Sequence, residues 1–231
     1  MNLMILLDPR AAVIVLGGTL LGTWLRAGNR DMQITLRKLC RLVGRQRFDG
    51  QAVRAELALQ VQEIRQDGLL RAQPRRLGDS ELDDATDAMI GRRSVAALIE
   101  AHEAHKARRV ALGERAMRTL AQGAELAPVF GLAGTLISLS QLPADGLARG
   151  AFMSAISMAV VTTLYGLLVA NLLLAPLARM VERASHAEEA ERQEVIDWLA
   201  RQVTAACPPP RRAAAETAAH PAAAYDVESA A

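Results

Sequence analysis

Charge is partitioned along this chain so sharply that the partition limits its fold more than any motif does. No Asp, Glu, Lys, Arg or His falls between Leu126 and Leu142, or between Ala151 and Ala178. A helix crossing a bilayer needs about 20 predominantly apolar residues, within a range of about 17–25. The first run sits at the short end of that range and the second exceeds it. A third apolar core, Ala11–Leu25, needs help from Leu3–Leu7, with Asp8 and Arg10 interrupting. A cleaved signal peptide would show a basic start and a small-residue cleavage site, and neither is present. Three membrane helices are therefore expected.

Lys and Arg set the expected orientation. Of 27 such residues, 19 lie between Arg26 and Arg118 and six between Arg179 and Arg212. The positive-inside rule places residues 26–124 and 179–231 in the cytoplasm, with the N-terminus and the 143–150 loop outside. The same rule accounts for the net charge of +2, so the basic excess implies no nucleic-acid partner. Cys40 and Cys207 fall on the reducing side, where a structural disulfide is not expected.

Between the spans the pattern is helical. Val53, Leu57, Val61 and Ile64 form an apolar stripe at helical spacing. Gln66-Asp-Gly68 breaks it, and residues 74–79 read as a loop. Asp79 and the acidic residues after it suit a helix start. From Ser94 to Leu142 a helix could run unbroken into the membrane, with Pro128 bending it. Val195, Ile196, Leu199 and Val203 give a later helix its apolar side. The expected fold is an all-α integral membrane protein with three transmembrane helices and a large helical cytoplasmic loop. Its parts are an N-terminal membrane helix (1–25), a cytoplasmic helical domain (26–124), a helix pair (125–178), a cytoplasmic amphipathic helix (179–206) and a disordered Pro/Ala tail (207–231).

Enzyme chemistry finds little support. There is no phosphate loop, nucleophile elbow or Cys-x-x-Cys. His102 and His105 lie three apart on a helix but lack a third ligand, and read as part of a solvated charged face. The spans say more. Gly131, Thr135 and Ser138 form one stripe; Ala155, Ala159, Thr162 or Thr163, Gly166 and Ala170 form another. Small residues in membrane helices allow close packing. Buried hydroxyls can also line an ion path. Both readings stay open on spacing alone. If these helices conduct, a partner must carry the missing acid.

The order Ala127-Pro128-Val-Phe-Gly131-Leu-Ala-Gly134-Thr135, then Met158-Ala-Val-Val-Thr162-Thr163-Leu-Tyr-Gly166 through Asn171, then Ala175-Pro176-Leu-Ala178, resembles the MotA/TolQ/ExbB family. The MotA flagellar-stator branch matches best, and Asp8-Pro9 followed by Ile14–Thr19 resembles its second membrane helix. The resemblance implies a homopentamer around two copies of a single-span, Asp-bearing partner of the MotB, TolR or ExbD type, in the bacterial inner membrane. Ions would pass between that partner and a wall containing Thr135 and Thr163, with Thr162, Gly131, Gly166 and Ser138 beside them. Pro128 and Pro176 match prolines associated with gating, and Arg65 matches the arginine that flagellar stators present to the rotor. No cofactor is implied. The transported ion would be H+, with Na+ the alternative.

Three departures accompany the resemblance. The resemblance to the MotA branch implies four spans; three are expected in this sequence, and Met1–Leu7 is too short to supply the first. Gln73 stands where the rotor-facing motif has Glu. The external connection from Leu142 to Gly150 is short. An ion-driven stator subunit is thus the leading expectation. The alternatives are a TolQ/ExbB-like energiser of the cell envelope and a non-conducting membrane scaffold.

Overall fold

The computed structural model describes residues 8–44, 48–68, 71, 76, 78–141 and 149–206. Among them the fold is all-α, as expected. The helices are α1 (Pro9–Val43), α2 (Gly50–Asp67), α3 (Ser80–Arg92), α4 (Val95–Ser140), α5 (Arg149–Leu168) and α6 (Ala175–Ala206). Widened π-helical turns occupy Val13–Gly17 within α1 and Val169–Leu174 between α5 and α6. Three stretches are long and apolar enough to cross a membrane: α1, α4, and the run Phe152–Ala206. Leu3–Leu7, the 143–148 loop, Gln73 and the 207–231 tail lie outside the described residues.

Asp8 and Arg10, expected to interrupt the first span, stand at the start of α1, Asp8 as its cap and Arg10 in its first turn. The Asp8 carboxylate accepts from the Arg10 N–H at 2.9 Å, and proline at the first helical position forfeits a donor that would be unpaired anyway. The helix then runs past Leu25 to Gly28, whose φ of 81° and ψ of 166° break it. Only glycine adopts that conformation readily. Asp49 and Asp79 cap α2 and α3, each accepting from two backbone N–H groups, and Gly68 (φ 73°) ends α2 where the sequence places a breaker.

α4 passes through Pro128 without leaving the α-helix, so the long helix expected from Ser94 is observed to Ser140. The wide turn Val169–Leu174 lies directly before Pro176. There a regular turn would lack the Pro176 donor and press its ring against the Leu172 carbonyl.

The chain forms two compact units. One comprises residues 8–48 and Lys106–Ala190; the other comprises Asp49–His105 and 191–206. In the first, Ala116, Leu120, Ala178 and Val181 make a buried cluster against which Ile34, Leu39, Met117, Leu174 and Leu177 pack. Arg109 and Glu189, both largely buried, join α4 to α6 by two hydrogen bonds of 3.0 and 2.9 Å.

In the second unit, Leu57, Val61 and Ile64 on α2 and Val195, Ile196, Leu199 and Val203 on α6 are all buried. The helical spacing selects these residues and also Val53, which is only half-buried. Burying each such side chain contributes about 1.5–3 kcal/mol.

Arg192 is buried in this unit too, bonded to Asp79 at 2.7 Å and 3.8 Å from Glu81. Burial pushes the Asp79 carboxyl up. The Arg192 hydrogen bond and charge, with the Glu81 and Leu82 N–H groups, outweigh it and hold Asp79 below the usual carboxylate range. His102 corrects the expectation of a solvated face. It is 3% exposed, and its Nε2 lies 3.3 Å from Gln193 Oε1. His105 instead approaches Asp84 at 3.4 Å.

Candidate functional site

α4 and α5 cross at glycines. A Cβ placed on Gly131 would lie 3.0 Å from the Thr162 carbonyl oxygen and 3.3 Å from Gly166 Cα. One on Gly166 would lie 2.7 Å from the Ala127 carbonyl oxygen, 3.1 Å from Gly131 Cα and 3.2 Å from Pro128 Cα. One on Gly134 would meet Thr162 Cβ at 2.8 Å. The obstacles at Gly131 and Gly166 are backbone, so the two helices touch main chain to main chain. Thr162 is fully buried in this seam and Ser138 is 2% exposed. Their hydroxyls donate within their own helices, Ser138 to the Gly134 carbonyl at 2.8 Å and Thr162 to the Ala159 carbonyl at 2.9 Å.

Beside the seam lies an open groove of about 490 Å³, lined by Thr135, Leu139, Ile156, Ala159, Val160, Thr163, Leu164 and Leu167. It brings Thr135 and Thr163 onto one surface. The Thr135 hydroxyl donates to the Leu132 carbonyl at 2.6 Å and the Thr163 hydroxyl to the Ala159 carbonyl at 3.1 Å. A hydroxyl whose proton is committed to the backbone presents its oxygen lone pairs outward. The groove therefore offers two acceptors, apolar walls and no charge. It can solvate a cation or receive a hydrogen bond from a protonated acid, but it supplies no titratable group of its own.

The stripe Gly131–Thr135–Ser138 thus divides. Gly131, Thr162 and Gly166 belong to the seam, Ser138 is buried one turn beyond Gly134 on α4, and Thr135 and Thr163 belong to the groove. Pro128 packs at the seam beside Gly166, whereas Pro176 is exposed beyond the wide turn. Arg65 is exposed on α2, in the other unit, and its guanidinium donates to Gln202 Oε1. Among the described residues no group of three or more side chains is arranged to hold a metal ion.

Sequence reasoning placed Ala159 on the small-residue stripe but missed the five larger apolar groove residues, since nothing in a Leu, Ile or Val distinguishes groove from lipid. It also passed over a second close crossing. Cβ atoms on Gly18 and Gly22 of α1 would come within 2.4 and 2.9 Å of the Phe130 ring. Next to them Thr19 and Thr23 are buried and bond back to α1. The i, i+4 glycine pair was the available signal.

Residues 70–194, over half the chain, match the model of the MotA/TolQ/ExbB proton channel family. The chain belongs to that family. It is 37% identical to Motility protein A of Borreliella burgdorferi over 76 residues, which are 33% of this chain and 29% of that relative. The match thus spans under a third of the curated relative's length. Its fold is similar to that of C. jejuni MotAB, with a TM-score of 0.77 and 18% identity over 94% of this chain and 85% of that one. It is also similar to the flagellar MotAB stator complex of Bacillus subtilis, with a TM-score of 0.73 and 18% identity over 94% and 91%. At that identity the likeness is one of fold. Family membership and three apolar helices make the chain a multi-pass membrane protein. The matched segment contains both the seam and the groove.

Proposed function

We propose that this protein is the ion-conducting subunit of a flagellar-motor-type stator, passing protons (Na+ being the alternative) and coupling their inward flow to torque. One observation carries the reading: in a member of a proton channel family, Thr135 and Thr163 share one uncharged, open groove. A single-span, Asp-bearing partner of the MotB type would lie along it. The subunits would form a pentamer around two partner helices in the inner membrane, with the N-terminus and the α4–α5 connection outside and the α2–α3 region in the cytoplasm.

The groove's chemistry suits that role. An ionised carboxylate entering an apolar groove loses hydration at high cost. Thr135 and Thr163 offer acceptors, which pair with a protonated acid and not with a carboxylate. The groove thus raises the partner acid's proton affinity while that acid lies in it. Loss of the proton toward the cytoplasm removes the preference, and the partner helix is released to the next wall. Pro128, at the seam, and Pro176, after the wide turn, are the positions where this movement would bend the helices.

A second reading, a TolQ/ExbB-like energiser of the envelope, keeps the groove and changes the output. It is favoured by Gln73 in the rotor-motif position and by the Arg65 bond to Gln202. Co-purification in mild detergent, followed by mass measurement, tests the assembly. Five copies with two of an Asp-bearing partner are expected, and the partner's outer domain separates the two outputs: peptidoglycan-binding for a stator, receptor- or lipoprotein-engaging for an energiser. A homo-oligomer that binds no such partner and passes no ions would contradict both and leave the scaffold.

A further inference from the structure

The segment of α1 after Gly28 has two unlike faces. Its inner side is held by the first unit's core: Ile34 and Leu39 pack against the Ala116, Leu120, Ala178 and Val181 cluster, Thr35 is buried, and Asp31 lies 3.8 Å from Arg115. The outer side is bare. Leu36 is 61% exposed and Val43 85% exposed, and Cys40 between them is exposed. At helical spacing these three make a narrow apolar ridge. Arg30, Arg37 and Arg41, all exposed, run along one edge of it.

The position of this face along the chain is informative. Trp24 and Arg26 close the apolar part of α1, Gly28 breaks the helix, and the Trp24 indole N–H donates to Asn29 Oδ1 at 2.5 Å across that break. Tryptophan concentrates at the boundary between hydrocarbon and headgroups. The core that holds the inner side also lies at a boundary, since Ala116 and Leu120 precede the uncharged run of α4 and Val181 follows that of the α5–α6 span. The bare face therefore emerges at headgroup level. An apolar ridge edged with arginine is the pattern of a helix lying in a membrane surface, with the ridge among the upper acyl carbons and the guanidinium groups on anionic headgroups.

We propose that residues 29–43 dock on anionic lipid through Leu36, Cys40 and Val43 as the inserted ridge and Arg30, Arg37 and Arg41 as the headgroup clamps. This surface would fix the depth and rotation of α1 against the leaflet. The proposal depends on the span and not on ion conduction.

Cys40 provides the probe. The full-length protein, with Cys207→Ser, would be labelled at Cys40 with an environment-sensitive fluorophore. It would then be reconstituted in vesicles of phosphatidylcholine alone or with phosphatidylglycerol. Quenching by lipids brominated high on the acyl chain is expected, stronger with phosphatidylglycerol and weakened by salt. Arg37→Gln with Arg41→Gln should lower the preference for the anionic lipid by about ten-fold or more, since each arginine near such a surface contributes about five-fold. Arg37→Lys with Arg41→Lys should retain it. A label reached by water-soluble iodide and not by brominated lipid, whatever the vesicle composition, would overturn the proposal. So would a label shielded from both, with Cys40 cross-linking between copies, because the face would then meet a second copy of this chain.

Discussion

The α4–α5 seam and the groove beside it both carry threonine hydroxyls bonded back to their own helix, and they differ in what fills the space next to them. In the seam, Gly131 and Gly166 bring main chain to main chain, and Thr162 is sealed among them. In the groove, one residue later, Thr163 faces open space together with Thr135. Thr162 and Thr163 even donate to the same Ala159 carbonyl. Hydroxyls alike in sequence and in hydrogen bonding are thus set in different surroundings by the crossing of two helices. Packing and the proposed conduction, which spacing leaves as rivals, would occupy adjacent faces of one helix pair.

The sharpest way to break the comparison is to fill the seam. In Gly166→Val the new side chain would meet the Ala127 carbonyl and the Gly131 and Pro128 backbone, none of which can swing away. Overpacking typically costs about 1–3 kcal/mol, and a Cβ with two methyl groups set against backbone belongs at or above the top of that range. Thermal unfolding in detergent should fall sharply, with assembly lost. Unchanged unfolding would mean the helices are not in main-chain contact.

A smaller effect tests whether charge outside the spans serves stability alone. Asp79→Ala removes the α3 cap and the Arg192 partner. It should cost about 1–2 kcal/mol on the scale of lost caps, measured by chemical denaturation, with ion flux per assembled complex unchanged. The pH dependence has a definite sign. Asp79 titrates lower folded than its ordinary 3.8, so its contribution is present above that value and disappears as pH falls through the lower, folded one. Below about pH 4 the wild-type protein and Asp79→Ala should converge in stability, and a gap that widens with acidification would contradict the pairing. The smallest effect belongs to Arg65→Glu, which loses one exposed bond to Gln202 and should alter unfolding by less than about 1 kcal/mol. Its readout is swimming. If the proposed rotor contact exists, motility drops and a compensating rotor charge restores it; normal swimming removes the contact.

Much of the fold was legible because helical spacing and hydropathy report burial directly. Leu57, Val61, Ile64, Val195, Ile196, Leu199 and Val203 are buried as their spacing requires, and Asp79 caps the helix it precedes. What stayed hidden depends on neighbours. A periodicity of 3.6 says that Gly131, Thr135 and Ser138 lie close on one face, but not where the next helix ends and open space begins, so it could not separate Thr135 from the other two. His102 looks solvated in a charge-rich sequence and is buried because α6 supplies Gln193. The break at Gly28 passed unnoticed because a lone glycine just past an apolar run is tolerated inside a helix and so does not by itself mark an end. Asp8 and Arg10 looked like interruptions because a cap and a first turn use the same charged residues that would be costly in the middle of a span.

The most direct test of the division between seam and groove compares Thr162→Val with Thr163→Val in the assembled complex, by ion flux into vesicles. Both substitutions keep side-chain shape and remove one hydroxyl that bonds the Ala159 carbonyl, a loss averaging about 0.6 kcal/mol within membranes. Assembly should survive in both. Flux should persist in Thr162→Val and fall by at least about ten-fold in Thr163→Val, the equivalent of about 1.4 kcal/mol of barrier. Equal flux in the two variants, or loss only in Thr162→Val, would contradict the assignment of the groove as the ion-path wall.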